Sequence, residues 1–304
     1  MPERDGYMPG VPCWTDASEP DPAAARDFYG RLFGWEFDDA IASGADGEYS
    51  VARLDTTGSS IFNTSGDRQR GDVAAIRSIP DGAPPMAMWN TYFWVDSADE
   101  TASKVLDAGG GVVVEPFDFV DASRTAVFTD PEGAAFSVWE PRGHKGATLV
   151  NDPGAVVFNG LNTRDADGAR AFYGSVFGWR TLGIGGGGEG WALPGYGDFL
   201  ERYHPNLRRQ MQEAGAPEGF EDAVGSINPI PDDQPDMPPH WSVTFSVDDA
   251  DATAGRATEL GGGVIIPPFD APWSTPTYTI RVAVLADSQG ATFGASRFIP
   301  KGAG

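Results

Sequence analysis

The chain has 304 residues, of which 40% are hydrophobic, and this is enough apolar material for one large globular domain or two ordinary ones. The formal net charge is −23, from 44 acidic and 21 basic residues, and such a surface repels phosphate backbones and anionic membranes. We therefore expect no nucleic-acid or membrane partner, whereas a cationic small molecule would be attracted. The charge would equally serve solubility alone.

Cysteine usage and the amino terminus bear on the cellular compartment. The single cysteine, Cys13, excludes an internal disulfide framework. Residues 1–6 do not have the apolar segment of a secretion signal, and no apolar run approaches the roughly 20 residues of a membrane span. These features predict a cytoplasmic protein, either a monomer or a homodimer.

In chain order, the first half alternates predicted strands with two amphipathic helices. Asp21 followed by Pro22 is typical of a helix start, and apolar residues then recur at helical spacing until Gly34. A capping box beginning at Ser97 starts the second helix, which ends at the glycine run 109–111. Strands are predicted at 12–15, 49–54, 73–76, 89–95, 112–114, 125–128 and 134–139.

The same series of motifs occurs a second time. The segment ARDFYGRLFGW at 25–35 returns as ARAFYGSVFGW at 169–179, and the offset between matching motifs grows from 144 to 152 to 157 along the chain. This pattern indicates a duplication with insertions in the second copy. The other matching segments are 109–112 with 261–264, 116–118 with 268–270, and 130–134 with 287–291.

The repeat predicts an α+β fold built from tandem βαβββ modules. We place the first module at 1–145 and the second at 146–304, because glycines and an Asp-Pro-Gly sequence between 143 and 153 are typical of a linker. The second module has an insertion at about 196–222, with a helical pattern interrupted by Pro205. This insertion is either a lid, a surface addition or a dimer contact.

The A-x-x-F-Y helix, the Val-Asp strand end, the triple-glycine turn and the D-P-x-G turn together resemble the vicinal-oxygen-chelate superfamily of glyoxalases, bleomycin-resistance proteins and dioxygenases. The resemblance covers roughly 10–142 and 153–299. It points to two-module actinobacterial proteins that are glyoxalase-like or hydroxylase-like, including accessory proteins of anthracycline pathways. It implies curved mixed sheets around one shared cavity.

Metal-dependent members of this superfamily hold a divalent ion with histidine, glutamine or glutamate side chains on the inner sheet face. The corresponding positions in this chain supply neither imidazole nor carboxylate, so the resemblance implies no metal, and we predict no other cofactor. These positions are Trp14, Asn90 and Ser137 in the first copy and Phe158, Ser242 and Gly294 in the second.

Strand alternation predicts which side chains face the cavity. One wall would be aromatic and the other small and hydroxylated, which suits stacking against a planar polycyclic ligand, and Asp16 would attract an ammonium group. The alternative is that these rings only close the core between the modules. The predicted ligand-binding residues are Trp14, Asp16, Asn90, Tyr92, Trp94, Ser137, Trp139, Phe158, Ser242 and Thr244.

Candidates for acid–base chemistry are few, and we predict no catalytic residue. We expect His144 and His204 to be solvated and His240 to lie one step out of the cavity register. Asp16 with Glu140 is the one carboxylate pair worth considering as an acid and a base.

Three functions remain open at this stage. The first is metal-free binding of a planar aromatic, cationic natural product for sequestration, resistance or delivery to a tailoring enzyme of the same pathway. The second is a cofactor-independent tailoring enzyme, such as a hydroxylase, isomerase or cyclase, that uses the same pocket. The third is an interaction protein that acts through its acidic surface.

Overall fold

The computed structural model describes residues 6–41, 47–56, 69–79, 82–83 and 85–301. Residues 1–5, which form most of the segment on which the expectation about the amino terminus was based, and residues 302–304 lie outside this part of the chain. Within it, no helix is long and apolar enough to cross a membrane.

The two halves contain the same elements in the same order, apart from the insertion. The first half comprises β1 (Pro12–Glu19), α1 (Pro22–Phe33), β2 (Glu36–Ile41), β3 (Tyr49–Thr56), β4 (Gln69–Ser78), β5 (Met88–Trp94), α2 (Ala98–Asp107), β6 (Gly111–Phe119), β7 (Ser123–Thr129) and β8 (Ala135–Pro141). The second half begins with β9 (Val156–Thr163), α3 (Ala166–Phe177), β10 (Arg180–Gly185) and β11 (Gly188–Ala192). It continues with α4 (Tyr196–Glu201), α5 (Leu207–Glu213), a 3-10 turn (Phe220–Asp222), β12 (Ala223–Pro229), β13 (His240–Ser246), α6 (Ala250–Glu259), β14 (Gly263–Asp270), β15 (Tyr278–Ala286) and β16 (Thr292–Pro300).

Each half forms one mixed sheet of eight strands. The strand order is β2-β3-β4-β1-β5-β8-β7-β6 in the first sheet and the equivalent β10-β11-β12-β9-β13-β16-β15-β14 in the second. The predicted α+β fold with tandem βαβββ modules is confirmed. Each half holds two βαβββ units rather than one, since β1-α1-β2-β3-β4 is followed by β5-α2-β6-β7-β8.

The helix ends lie where the capping residues predicted them. The Asp21 carboxylate accepts hydrogen bonds from the amides of Ala23 and Ala24 at 3.0 and 3.1 Å, and Pro22 is the first helical residue of α1. Gly34 ends α1 with a φ of 76°, a conformation that costs glycine little. At α2, the Ser97 hydroxyl accepts from the Glu100 amide at 3.2 Å.

The motifs that reveal the repeat also join the two halves. The Tyr29 hydroxyl, on α1, donates to the Asp287 carboxylate in the second half at 3.0 Å and accepts from Trp89 Nε1 at 2.9 Å. The reciprocal contact joins Tyr173, on α3, to Asp130 in the first half. There the Tyr173 hydroxyl donates to Asp130 at 3.1 Å and accepts from Trp241 Nε1 at 2.8 Å. The F-Y helix motif of each half therefore binds the aspartate turn of the other.

One of these two junctions contains a buried carboxyl group that the other lacks. Glu19, at the end of β1, is 0% exposed, and neither carboxylate oxygen has a hydrogen-bond partner among the described residues. Burial, together with the neighbouring Asp287 carboxylate, raises the pKa of Glu19 to about 9. In the second half the equivalent strand end carries Thr163, whose hydroxyl donates to Glu132.

Replacing Glu19 by glutamine should flatten the dependence of stability on pH. A carboxyl group whose pKa is higher in the folded chain than in the unfolded chain stabilises the fold at low pH. That contribution is lost as the pH rises from the ordinary glutamate pKa of 4.5 toward the folded-state pKa of about 9. Between about pH 6 and pH 9, the wild-type free energy of unfolding should therefore fall relative to Glu19→Gln by at most about 1.4 kcal/mol per pH unit, measured by urea unfolding. Glu19→Thr, which copies the second half, should behave like Glu19→Gln. Parallel curves for wild type and both variants would contradict this assignment.

Candidate functional site

The concave face of the first sheet, which we call the N-terminal concavity, is filled by its own side chains. The Tyr49 and Phe119 rings lie 5.0 Å apart although β3 and β6 are near opposite edges of the sheet, so the sheet curves back on itself. The remaining space is only about 10 Å³. It is lined by Asp16, Tyr49, Arg77, Tyr92, Phe119, Thr125 and Trp139.

A buried acidic group and an arginine occupy the polar part of the N-terminal concavity. The Asp16 carboxylate is 0% exposed and accepts hydrogen bonds from the Tyr92 hydroxyl at 2.7 Å and from Asn90 Nδ2 at 2.8 Å. Burial raises the pKa of Asp16, and the positive charge of Arg77 opposes that rise. Asp16 is therefore satisfied by the protein's own groups and is not available to an ammonium group of a ligand, contrary to the sequence-based expectation.

The concave face of the second sheet instead encloses a cavity of about 1510 Å³, which we call the C-terminal cavity. This volume exceeds the roughly 300–1,000 Å³ of most small-molecule sites. Along β13, Ser242, Thr244 and Ser246 face the cavity and are partly exposed, whereas the alternate residues are buried on the other side of the sheet. One rim is formed by the segment 148–153 between the halves and by a few residues of the first half.

Side-chain size at equivalent strand positions accounts for the difference between the two halves. Strand pairing aligns the positions, and the first half has the larger side chain in seven aligned pairs on this face, whereas Ser226 and Asn162 are larger than their counterparts Ala75 and Ser18. Because the strand order is the same, the smaller set leaves the space that forms the C-terminal cavity. The pairs, first half before second, are Trp14/Phe158, Asp16/Gly160, Arg77/Asn228, Tyr92/Thr244, Trp94/Ser246, Ser137/Gly294 and Trp139/Ser296.

The floor of the C-terminal cavity is polar and uncharged. Ser242 Oγ donates to the Gly160 carbonyl at 3.1 Å, and Asn162 Nδ2 donates to Ser242 Oγ at 3.2 Å. A β-carbon on Gly160 would lie 2.5 Å from Asn228 Nδ2 and 2.6 Å from Ser226 Oγ. The absence of a side chain at Gly160 therefore keeps this group of amides and hydroxyls open to the cavity.

The insertion (196–222) forms one wall of the C-terminal cavity. It supplies the short helices α4 and α5, which lie between β11 and β12, the strands that correspond to β3 and β4 of the first half. The insertion is therefore not a surface addition remote from the cavity. That it acts as a lid and closes over a ligand stays a prediction. The lining residues from the insertion include Tyr196, Leu200, Tyr203, His204, Leu207 and Met211.

The expectations for the histidines are corrected by the structure. His240 lines the C-terminal cavity because it pairs with Asn162 and lies in the same alternating series as Ser242. His204 also lines it. His144 packs edge-on against Trp14 at 4.6 Å between ring centroids. Neither His144 nor His204 is thus a simply solvated residue.

Asp16 and Glu140 do not form an acid–base pair. Glu140 accepts a hydrogen bond from the Ala98 amide at 2.9 Å, at the first residue of α2. Asp16 lies in the N-terminal concavity, bonded to Tyr92 and Asn90. Glu140 serves to satisfy a helix amino terminus on the other side of the sheet.

The predicted ligand-binding residues divide between the two places. Phe158, Ser242 and Thr244 line the C-terminal cavity, whereas the seven from the first half do not. The expectation of one shared cavity is wrong, because each sheet curves around its own concave face. The seven first-half residues are Trp14, Asp16, Asn90, Tyr92, Trp94, Ser137 and Trp139.

Several cavity residues were missed from the sequence. Ser226 and Asn228 belong to β12. Their spacing of two residues from each other and from Val224 would have indicated that all three lie on the inner face of the sheet. Trp273 lines the cavity from the connection between β14 and β15, and no sequence signal indicated it.

The positions that hold metal in the superfamily do not fit a divalent ion in this chain. Trp14 Nε1 donates to the Tyr49 hydroxyl at 2.8 Å, and Asn90 is engaged by Asp16, so both are committed to the filled concavity. In the second half the positions carry Phe158, Ser242 and Gly294, which offer no imidazole or carboxylate. Across the described residues, no three His, Cys, Asp or Glu side chains cluster as metal ligands would.

Solved structures share this architecture at low sequence identity. The Mn(II)-bound glyoxalase from Novosphingobium aromaticivorans superposes with a TM-score of 0.55 at 15% identity, covering 95% of this chain and 83% of that one. The 2,3-dioxygenase LapB from Pseudomonas sp. KL28 gives a TM-score of 0.56 at 10% identity, covering 97% and 96%. At these identities the likeness concerns the fold alone.

Curated relatives are closer in sequence. The chain is 39% identical over 305 residues to "Putative glyoxylase CFP32" of Mycobacterium tuberculosis (strain CDC 1551 / Oshkosh), covering 99% of this chain and all of the relative. It is 34% identical over 287 residues to "Anthracycline biosynthesis protein DnrV" of Streptomyces peucetius, covering 94% and 93%. The family described as Glyoxalase/Bleomycin resistance protein/Dioxygenase superfamily matches residues 14–138 and 155–293. With both halves matched and relatives aligned along nearly their whole length, the chain belongs to the glyoxalase/bleomycin resistance protein/dioxygenase superfamily.

Proposed function

We propose that the chain binds a planar polycyclic aromatic natural product in the C-terminal cavity, as an accessory, sequestering or resistance protein of an antibiotic pathway. The observation that carries this proposal is a cavity of about 1510 Å³ on a concave face whose counterpart in the first half is filled. The relationship to an anthracycline biosynthesis protein supports an aromatic polyketide as the ligand.

The walls of the C-terminal cavity suit an aromatic ligand. Rings and aliphatic side chains provide stacking and apolar contact, while the floor around Gly160 provides hydrogen bonds that orient the ligand. The apolar lining includes Phe158, Leu200, Met211, Val224, Phe269, Trp273, Val282 and Val284.

Among the described residues, the lining of the C-terminal cavity has two acidic side chains, Asp152 and Glu221, and two basic ones, Arg70 and Arg297, so it does not require a positive charge on the ligand. Asp16, on which that expectation depended, lies in the N-terminal concavity. The charged side chains that line the C-terminal cavity include Glu221, which accepts from Arg208 at 3.2 Å, and Arg297, which lies 3.7 Å from Asp248. The net charge of −23 would still concentrate cationic ligands near the protein.

Titration with daunorubicin tests the binding function. We expect saturable binding at micromolar concentration by isothermal titration calorimetry, unaffected by EDTA. We also expect fluorescence quenching that becomes smaller in Trp273→Phe, since Trp273 lines the cavity. Calorimetric affinity should change little in that variant, because phenylalanine retains a ring. Failure of daunorubicin and of other polycyclic antibiotics to bind more tightly than about 1 mM, roughly 4 kcal/mol, would refute the binding function.

A cofactor-independent enzyme is the second candidate, and the orientation of His240 favours it. His240 Nδ1 lies 2.8 Å from the Pro238 carbonyl oxygen, which can only accept, so Nδ1 carries the proton. A neutral ring then leaves Nε2 as a base at the cavity wall. Incubation of a bound polycycle followed by mass spectrometry separates the two candidates, since an enzyme forms a product that His240→Ala does not, whereas a binding protein forms none.

A further inference from the structure

We infer that the floor of the C-terminal cavity around Gly160 is a subsite for neighbouring neutral oxygen atoms on one edge of the ligand, as in a hydroxyquinone. This inference rests on the proposed binding function and narrows its ligand class. The subsite consists of Gly160, Ser226, Asn228 and Ser242, which we call the floor subsite.

The first half shows what the same strand positions do when they carry larger side chains. There Asp16 takes the position of Gly160 and Arg77 that of Asn228. The Asp16 carboxylate accepts from Tyr92 and Asn90, so its oxygen atoms are satisfied inside the concavity. In the first half, the carboxylate oxygen atoms of Asp16 are thus carried at the strand position that Gly160 has in the second half.

The second half has no carboxylate at the Gly160 position, but polar side chains surround that position. Ser226 is only 8% exposed, and its side chain makes no hydrogen bond to any described residue. Asn228 likewise has no side-chain partner in the described ranges, although its amide nitrogen would be 2.5 Å from a β-carbon on Gly160. Both side chains line the cavity, Ser226 buried and Asn228 half-buried, so their donors and acceptors are available to a ligand there.

The chemistry of these groups determines what they can recognise. Asn228 Nδ2 and the Ser226 hydroxyl are donors that suit a carbonyl oxygen, and the serine oxygen and Asn228 Oδ1 accept from a ligand hydroxyl. No charged side chain belongs to the floor subsite, so it does not compensate a carboxylate, phosphate or ammonium group. The bare Gly160 backbone lets a flat ring edge approach closely.

Comparison of two tricyclic probes tests the floor subsite. Quinizarin carries adjacent carbonyl and hydroxyl groups on an anthracene frame, and anthracene carries none. We expect the wild type to bind quinizarin at least about tenfold more tightly, because anthracene displaces water from these polar groups and offers them no hydrogen-bond partner. Ser226→Ala and Asn228→Leu should each reduce this preference several-fold while anthracene affinity is kept. Ser103→Ala, at an exposed position on α2 in the first half, should leave the preference unchanged.

The outcomes separate this inference from the proposed function. Equal affinity of the wild type for both probes overturns the floor subsite and leaves aromatic binding standing. A preference for quinizarin that survives in both Ser226→Ala and Asn228→Leu also overturns it. If neither probe nor daunorubicin binds, the proposed function fails together with the subsite. The wild-type preference needs no variant, so the test does not depend on the variants folding.

Discussion

Thr244→Tyr combined with Ser296→Trp should abolish ligand binding while the protein remains folded. These substitutions copy Tyr92 and Trp139, whose rings meet edge-on at 5.6 Å in the N-terminal concavity. Both target positions line the C-terminal cavity and are only partly buried. The backbone of the first half already accommodates this aromatic pair, so its transfer should occupy ligand space with limited strain.

The expected loss of daunorubicin affinity is at least about a hundredfold, equivalent to roughly 2.7 kcal/mol, measured by isothermal titration calorimetry. Leu106→Trp is the matched control, because it adds an indole at a side chain that is 57% exposed on α2, far in sequence from the cavity. A folded double variant with unchanged affinity would mean that the ligand does not occupy the C-terminal cavity.

The converse substitution, Trp139→Ser, should strongly destabilise the protein without weakening ligand binding. Trp139 is 2% exposed, contacts the Tyr92 and Phe119 rings, and donates from Nε1 to the His144 carbonyl at 3.0 Å. Removing such a ring typically costs about 3–5 kcal/mol, because packing is lost and a cavity remains.

Urea unfolding measures this loss, and calorimetry with daunorubicin measures binding under folding conditions. Leu106→Ser serves as the control for an exposed apolar residue and should cost well under about 1 kcal/mol. Loss of affinity in a folded Trp139→Ser variant would indicate that the N-terminal concavity takes part in ligand binding. A cost below about 1 kcal/mol would contradict its role as a packed core.

The tandem arrangement and the helix ends were predictable because they depend on local sequence. Motif order and the growing offset indicated the duplication, and Asp21, Pro22 and Gly34 marked the ends of α1 by backbone chemistry that acts within a few residues. In the first half, strand alternation also placed Trp14, Tyr92 and Ser137 on one face, as the pairing of Trp14 with Tyr92 and of Tyr92 with Ser137 demonstrates.

Whether a face is filled or open was not predictable from alternation within one strand. The N-terminal concavity is closed by Tyr49, Arg77 and Phe119, which reach it from β3, β4 and β6 only because the sheet curves. Comparison of the two repeats could have indicated this. Aromatic side chains in the first half align with small side chains in the second, and this difference is better explained by one filled concave face and one open one than by two walls of a single cavity. His240 was assigned to the wrong register, although its spacing from Ser242 and Thr244 already matched the alternation.

The reciprocal junction also bears on how such an asymmetric protein can arise. Tyr29 with Asp287 and Tyr173 with Asp130 are the contacts that two identical subunits would make across a twofold axis. In a homodimer, any substitution that filled one concave face would fill both, and no open cavity would remain. Fusion into a single gene removes that constraint. One copy can then fill its concave face, as Asp16 and the packed indoles of the first half do, while the concave face of the other copy stays open and its lining changes independently.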